Sequence, residues 1–170
     1  MNLLIADDSL EFMESLKDFL ENSGHTVFCA SDGEHALQLF GIHKIDGVFC
    51  ALTLPKLGGL ELLKEVKSAN SNSPFVMICP QNDSEGVINA LQLGACDYLI
   101  KSINAADLQR TVDRVVSLHE GFNYSNSEMD HSMQESRTLE IENDFAGVKR
   151  IVAFMTKDLP TYGILAKNQL

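Results

Sequence analysis

The stretch "VFCALTLPKLGG", Val48 to Gly59, decides the fold. Val48 to Leu52 is short and apolar, as a strand buried on both faces must be. "TLPKLGG" then supplies the proline and glycines that stop a strand and turn the chain. A strand covered on both faces belongs to a sheet with helices above and below it. In such open sheets ligands gather at the carboxyl ends of the strands. At that end a carboxylate would make immediate chemical sense, and Ala51 puts a methyl group there.

Working outward, strand-like runs alternate with helical patterns five times, the signature of a parallel α/β sheet. The runs are Asn2 to Ala6, His25 to Ala30, Asp46 to Leu52, Phe75 to Cys79 and Tyr98 to Ile100. Phe12, Met13, Leu16, Phe19 and Leu20 make the first amphipathic helix, and Gly24 suits a left-handed C-cap after it. Ser31 with Glu34 predicts a capping box for the second helix. Leu60, Leu62, Leu63 and Val66 mark the third, and Ser84 to Leu93 the fourth, stopping at Gly94. Asn104 with Asp107 caps a fifth, predicted to end near His119.

Composition then shifts. Residues 120–138, including "GFNYSNSEMDHSMQESRT", are nearly devoid of branched aliphatics and read as a polar linker. Beyond them Ile141, Phe145, Val148, Ile151, Val152 and Met155 recur at helical spacing, with Pro160 just past. The expected organisation is a domain over 1–119, a linker over 120–138, and an amphipathic helix and tail over 139–170.

Net charge is −11. The first 119 residues hold 8 basic and 16 acidic side chains, and the remainder 5 and 8, so neither part suits a nucleic-acid surface. No run approaches the roughly 20 apolar residues of a membrane span. The N-terminus has no basic region before its apolar run, unlike a secretory signal. Cys29, Cys50, Cys79 and Cys96 show no CxxC spacing and read as free thiols of a reducing compartment. The expected location is the cytoplasm, with no membrane partner.

Read in order, the strand ends offer Asp7 and Asp8, then Ala51, then Cys79, then Lys101. Two adjacent carboxylates suit a hard cation such as magnesium, and a lysine nearby would neutralise an oxyanion. Asp46, the only acid in the third run, lies five residues upstream of Ala51, about 16 Å away at the wrong end. Ala51 has no heteroatom to phosphorylate.

"LLIADDSLEF", "SDGEHALQLF", "IDGVFCALTLPKLGGLELLKEVK", "SPFVMICPQND" and "LGACDYLIKS" together resemble the receiver domain of bacterial two-component response regulators, over about residues 1–119. The resemblance implies a flavodoxin-like, doubly wound five-stranded parallel sheet in the order 2-1-3-4-5. It makes Asp7 and Asp8 the acidic pair and Lys101 the lysine of the site. Pro55 and Gly59 become the turn residues after the third strand, and Tyr98 the aromatic switch position. It also marks departures. Ala51 holds the phospho-acceptor position and Cys79 the Ser/Thr position. Pro80 stands where a small residue is usual. Ser102 replaces a proline whose peptide bond is typically cis.

These departures lead to an expectation of a pseudo-receiver: no catalytic residue, no enzyme activity and no aspartyl phosphorylation. Asp7, Asp8 and Lys101 become an acidic pocket closed by an internal ion pair. Cys79, Tyr98 and Ser102 become degenerate switch positions. No cofactor is expected, and any residual magnesium would use Asp7, Asp8 and the Thr53 carbonyl. The module would act by protein–protein contacts in phosphorelay signalling. Its surface would be the face of the fourth helix, fifth strand and fifth helix, near Asn89, Gln92, Tyr98 and Arg110, or else the C-terminal helix. The partner is another signalling protein or a second copy of the chain. The alternative is a small-ligand or cation sensor using the emptied acidic pocket. Two lesser readings are phosphotransfer to Thr53 and a redox-sensing Cys79 whose thiol pKa is lowered by Lys101.

Overall fold

The structure, a computed structural model, describes residues 1–70 and 72–136. The elements run β1 (Asn2–Ala6), α1 (Leu10–Asn22), β2 (Thr26–Ala30), α2 (Gly33–Ile42), β3 (Gly47–Ala51), α3 (Gly59–Ala69), β4 (Phe75–Cys79), α4 (Ser84–Gln92), β5 (Asp97–Ile100) and α5 (Ala105–Ser136). The strands are all parallel and ordered β2-β1-β3-β4-β5. This is the doubly wound sheet expected from the alternating runs.

Strand periodicity sorts the core into two layers. Leu4, Ala6, Val48, Cys50, Phe75, Met77 and Cys79 face α2, α3 and α4, meeting Ala36, Leu62, Leu63, Val66 and Ala90. Leu3, Ile5, Phe49, Val76, Ile78 and Leu99 face α1 and α5, meeting Met13, Leu16, Leu20, Val112 and Val115. β3 and β4 are buried along their whole length. That is why their sequences are continuous apolar runs with no polar alternation.

Gly24 and Gly94 adopt positive φ after α1 and α4, as stop residues should. The ends of β2, β3, β5 and α4 shift by one residue from expectation, and two further helix boundaries differ for an identifiable reason. Asp32, not Ser31, caps α2: its carboxylate accepts the His35 N–H at 2.9 Å. Gly33 starts that helix because it lies against the Leu57 carbonyl, where any Cβ would overlap. Helix α5 does not stop near His119 but continues to Ser136, through most of the stretch read as a linker. The stretch contains no proline and one glycine, and Glu120, Met129, Met133, Gln134 and Glu135 are good helix formers. Ser and Asn content opposed the helix only weakly. The amphipathic helix and tail expected over 139–170 lie outside the described residues.

Candidate functional site at the carboxyl end of the sheet

β1 ends in "ADDS", and the chain splits its two acids. Asp7 is fully buried, whereas Asp8 faces solvent. Ser9 follows as the N-cap of α1, accepting from the Phe12 N–H at 3.4 Å. Its own N–H donates to Asp7 Oδ1 at 2.9 Å. The cap thus turns one carboxylate inward and leaves the other outside.

Lys101 reaches the buried acid from β5. Its Nζ lies 3.1 Å from Asp7 Oδ1 and 3.0 Å from Oδ2. β1 and β5 are not neighbours; the ends of β3 and β4 lie between them. The reach crosses Ala51 and Cys79, two small side chains. Nζ also stands 5.2 Å from the centre of the Phe12 ring, whose face favours a cation. A carboxylate with no exposure needs this counter-charge, because an unpaired buried charge is very costly.

Ala51 is buried at the end of β3. Ala6 pairs with Cys50, so one step on Ala51 lies beside Asp7. The Ala51 carbonyl accepts the Cys50 thiol at 3.2 Å, and a Cβ on Gly59 would overlap it. Gly59 N–H donates to Leu52 O at 3.0 Å, closing the turn. Between them Pro55 O accepts from Leu57 N–H at 2.8 Å and Gly33 N–H at 3.2 Å. With Lys56 at φ 65, this is a γ-turn of the strained hand. Lys56 Nζ then meets Asp32 Oδ2 at 2.7 Å, fastening the turn to the start of α2.

The donors present fit magnesium poorly. Lys101 spans both Asp7 oxygens, and Ala51, beside Asp7, offers no side-chain donor, while Asp8 and Thr53 face solvent. No group of three or more His, Cys, Asp or Glu among the described residues could hold a metal ion. Asp46 sits at the opposite end of the sheet, accepting Asn2 N–H at 2.8 Å and facing His119 at 3.7 Å.

The thiol expectation is overturned. Burial pushes Cys79 up to about 11, with the Asp83 carboxylate adding to the rise. Lys101 meets Cys79 through its backbone, N–H to Cys79 O at 2.8 Å, while its ammonium is turned to Asp7. Cys50 is also pushed up, by burial first and then by Asp7 and Cys79. Neither is a ready thiolate at neutral pH.

Ser102 follows a trans bond, is exposed, and has φ 82. Its Oγ accepts from Gln81 Nε2 at 2.9 Å. Tyr98 is 40% exposed and faces outward. It lines a hollow of about 300 Å³ with Ile100, Ile103, Asp107 and Arg110. Asn89 instead lines a hollow between α3 and α4, beside Leu52, Gly58 and Glu61. A third, apolar hollow lies between α1 and the start of α5, near Phe12 and Ile103. None of these three is lined by Asp7, Asp8 or Lys101.

Sequence reasoning missed exposed Ile88 and Leu91 on α4 and Ile100 on β5. A signal was present: "GVINALQ" carries more apolar residues than one helix face can bury. It also missed the two polar ties, Lys56–Asp32 and Gln81–Ser102, which no local spacing rule links.

The family model for the response regulator receiver domain matches residues 3–113. This chain belongs to that family. Among curated relatives, the receiver is 33% identical over 112 residues to transcriptional regulatory protein CrdR of Helicobacter pylori, covering 65% of this chain and 52% of that protein. It is 29% identical over 117 residues to transcriptional regulatory protein ZraR of Escherichia coli, covering 69% and 26%. The match therefore spans about a quarter to a half of those relatives' length. Among solved structures, a receiver domain from Clostridium thermocellum superposes with a TM-score of 0.68 at 27% identity, covering 71% of this chain and 98% of that one. The receiver domain of NtrX from Brucella abortus gives 0.65 at 28%, covering 68% and 98%. A signalling role follows for this receiver. Among the described residues no helix is long and apolar enough to cross a membrane.

Proposed function

We propose that this receiver signals without aspartyl phosphorylation, as a non-enzymatic module that works through protein contacts. One observation carries the reading. The acceptor position is Ala51, and the ammonium that would neutralise a transferred phosphoryl group is spent on Asp7. Cys79 and Ser102 reinforce it, since a hydroxyl and a proline are replaced at two further positions implied by the resemblance. A shift between two conformations needs a differential interaction, and the pocket no longer supplies one.

Function then moves to the surface. Ile88 and Leu91 on α4, and Tyr98 and Ile100 on β5, are exposed apolar side chains. The neighbouring charges are satisfied within the chain, Arg110 with Asp107 at 3.2 Å and Arg114 with Asp97 at 3.6 Å. Such a face suits an apolar partner surface on another signalling protein. The acid-rich charge balance supports a protein partner over nucleic acid in this part of the chain, and four free cysteines fit a reducing cytoplasm.

The test is incubation of the full chain with acetyl phosphate and magnesium, followed by intact mass measurement. The expected result is no mass gain. A gain of one phosphoryl group on any residue of the receiver, Thr53 included, overturns the proposal.

A further inference from the structure

The described residues include three non-glycine positions at positive φ: Lys56 at 65, Asn82 at 66 and Ser102 at 82. All three lie on one rim of the molecule. They occupy the loops that follow β3, β4 and β5, one in each. Backbone of this kind persists only where its surroundings hold it. For Lys56 the hold is the ion pair to Asp32. Ser102 is tied by a bond between loops, Gln81 Nε2 to Ser102 Oγ, while Asn82, next to Gln81, is a residue type that enters this conformation readily.

The placement of that bond matters. The β4–β5 ladder closes with Lys101 N–H to Cys79 O at 2.8 Å. Gln81 and Ser102 stand just beyond it, so their side chains extend the pairing of the two strands into the two loops. From Gln81 the chain passes through left-handed Asn82 to Asp83, the N-cap of α4, whose carboxylate accepts the Gly86 N–H at 2.8 Å. Three residues thus connect the bond to a capped helix, with little freedom in between. Proline could not replace Ser102, because its ring fixes φ near −65°. The left-handed turn is what presents the hydroxyl to Gln81.

We propose that the Gln81–Ser102 bond is a clasp that sets the position of α4, and with it the Ile88–Leu91 side of the partner face. It rests on the reading that this face is the working surface. It gives that reading a mechanism: the face is held in one setting by a tie between loops, with no contribution from the acceptor position. Gln81 and Ser102 are positioning residues, acting on a partner only through α4.

Amide hydrogen exchange on the full chain tests the clasp without any partner. The set is Gln81→Ala, Ser102→Ala and the double variant, with Gln81→Glu as the conservative change, because Ser102 can donate to a carboxylate. Loss of one such bond should speed exchange in α4 by about three- to tenfold. The double variant should match the singles, and Gln81→Glu should remain close to the parent. Amides of α1, on the opposite face of the sheet, should not change. Unchanged α4 exchange in both singles, strictly additive effects, or uniform acceleration through the whole chain would each overturn the clasp. Because neither phosphate nor partner is present, this outcome is separate from that of the acetyl phosphate experiment.

Discussion

Two parts of the same rim are built in opposite ways. At the ends of β1 and β5, Asp7 and Lys101 grip each other at 3.0 Å. At the ends of β3 and β4, between them, Ala51 and Cys79 are fully buried and apolar. The difference teaches that the buried acid at this rim is matched by a counter-charge reaching in from another strand end. Asp7 has no solvent, and among the described residues the ion pair of Lys101 is with Asp7, so each is held by the other. The middle strands needed no such partner, and small side chains could take their ends.

Removing the lysine breaks this comparison most directly. Lys101→Met leaves Asp7 buried and unpaired. The expected loss is about 3 kcal/mol, the low end for breaking a buried pair, since the lysine is partly exposed. Urea unfolding measures it. Adding Asp7→Asn to that variant should recover most of the loss; failure to recover would mean that the lysine stem, not the charge pair, does the stabilising.

Putting charge back in the middle sharpens the same contrast. Ala51→Asp sets a second carboxylate beside Asp7 in a buried site, at a cost of about 2 kcal/mol at neutral pH. Burial and like charge both raise the new group's pKa above its unfolded value. The penalty is therefore full above the folded pKa and shrinks as pH falls through it. A pH series of unfolding midpoints should show the gap to the parent closing toward acid. A gap that widens toward acid would place the new group with Lys101 instead of Asp7.

The smallest effect should come from the exposed tie, Asp32 with Lys56. The Asp32 carboxyl is held below the usual range, first by the hydrogen bond from Lys56 and then by the His35 N–H. Stability from a lowered carboxyl is present above its ordinary pKa and lost as pH falls through the lowered one. Asp32→Ala should lower Tm slightly at neutral pH, and the two curves should converge in strong acid.

Much of this was legible in the sequence because it is local. β1 and β4 match their apolar runs residue for residue, since a strand buried on both faces announces itself without context. The acids at 7 and 8 and the lysine at 101 were found by reading strand ends in order. Their division of labour was not, because only Ser9's cap and the reach of Lys101 decide which acid goes inside. Asp32 outcompeted Ser31 for the α2 cap through a tertiary reason, the approach of Gly33 to Leu57. α5 overran its expected end because polar composition was read as linker, although backbone propensity there favours helix. The expected low thiol pKa at Cys79 failed for a related reason: sequence places Lys101 nearby, but not where its ammonium points.

The Asp7–Lys101 bond joins residues 94 apart in the chain. Contacts of such long range carry a large loop-closure cost, so this pair is expected to form late in folding. An interaction absent from the transition state leaves the rate of folding nearly untouched and governs the rate of escape from the folded state. Breaking the pair should therefore speed unfolding more than it slows folding, and so shorten the time each molecule keeps its surface presented.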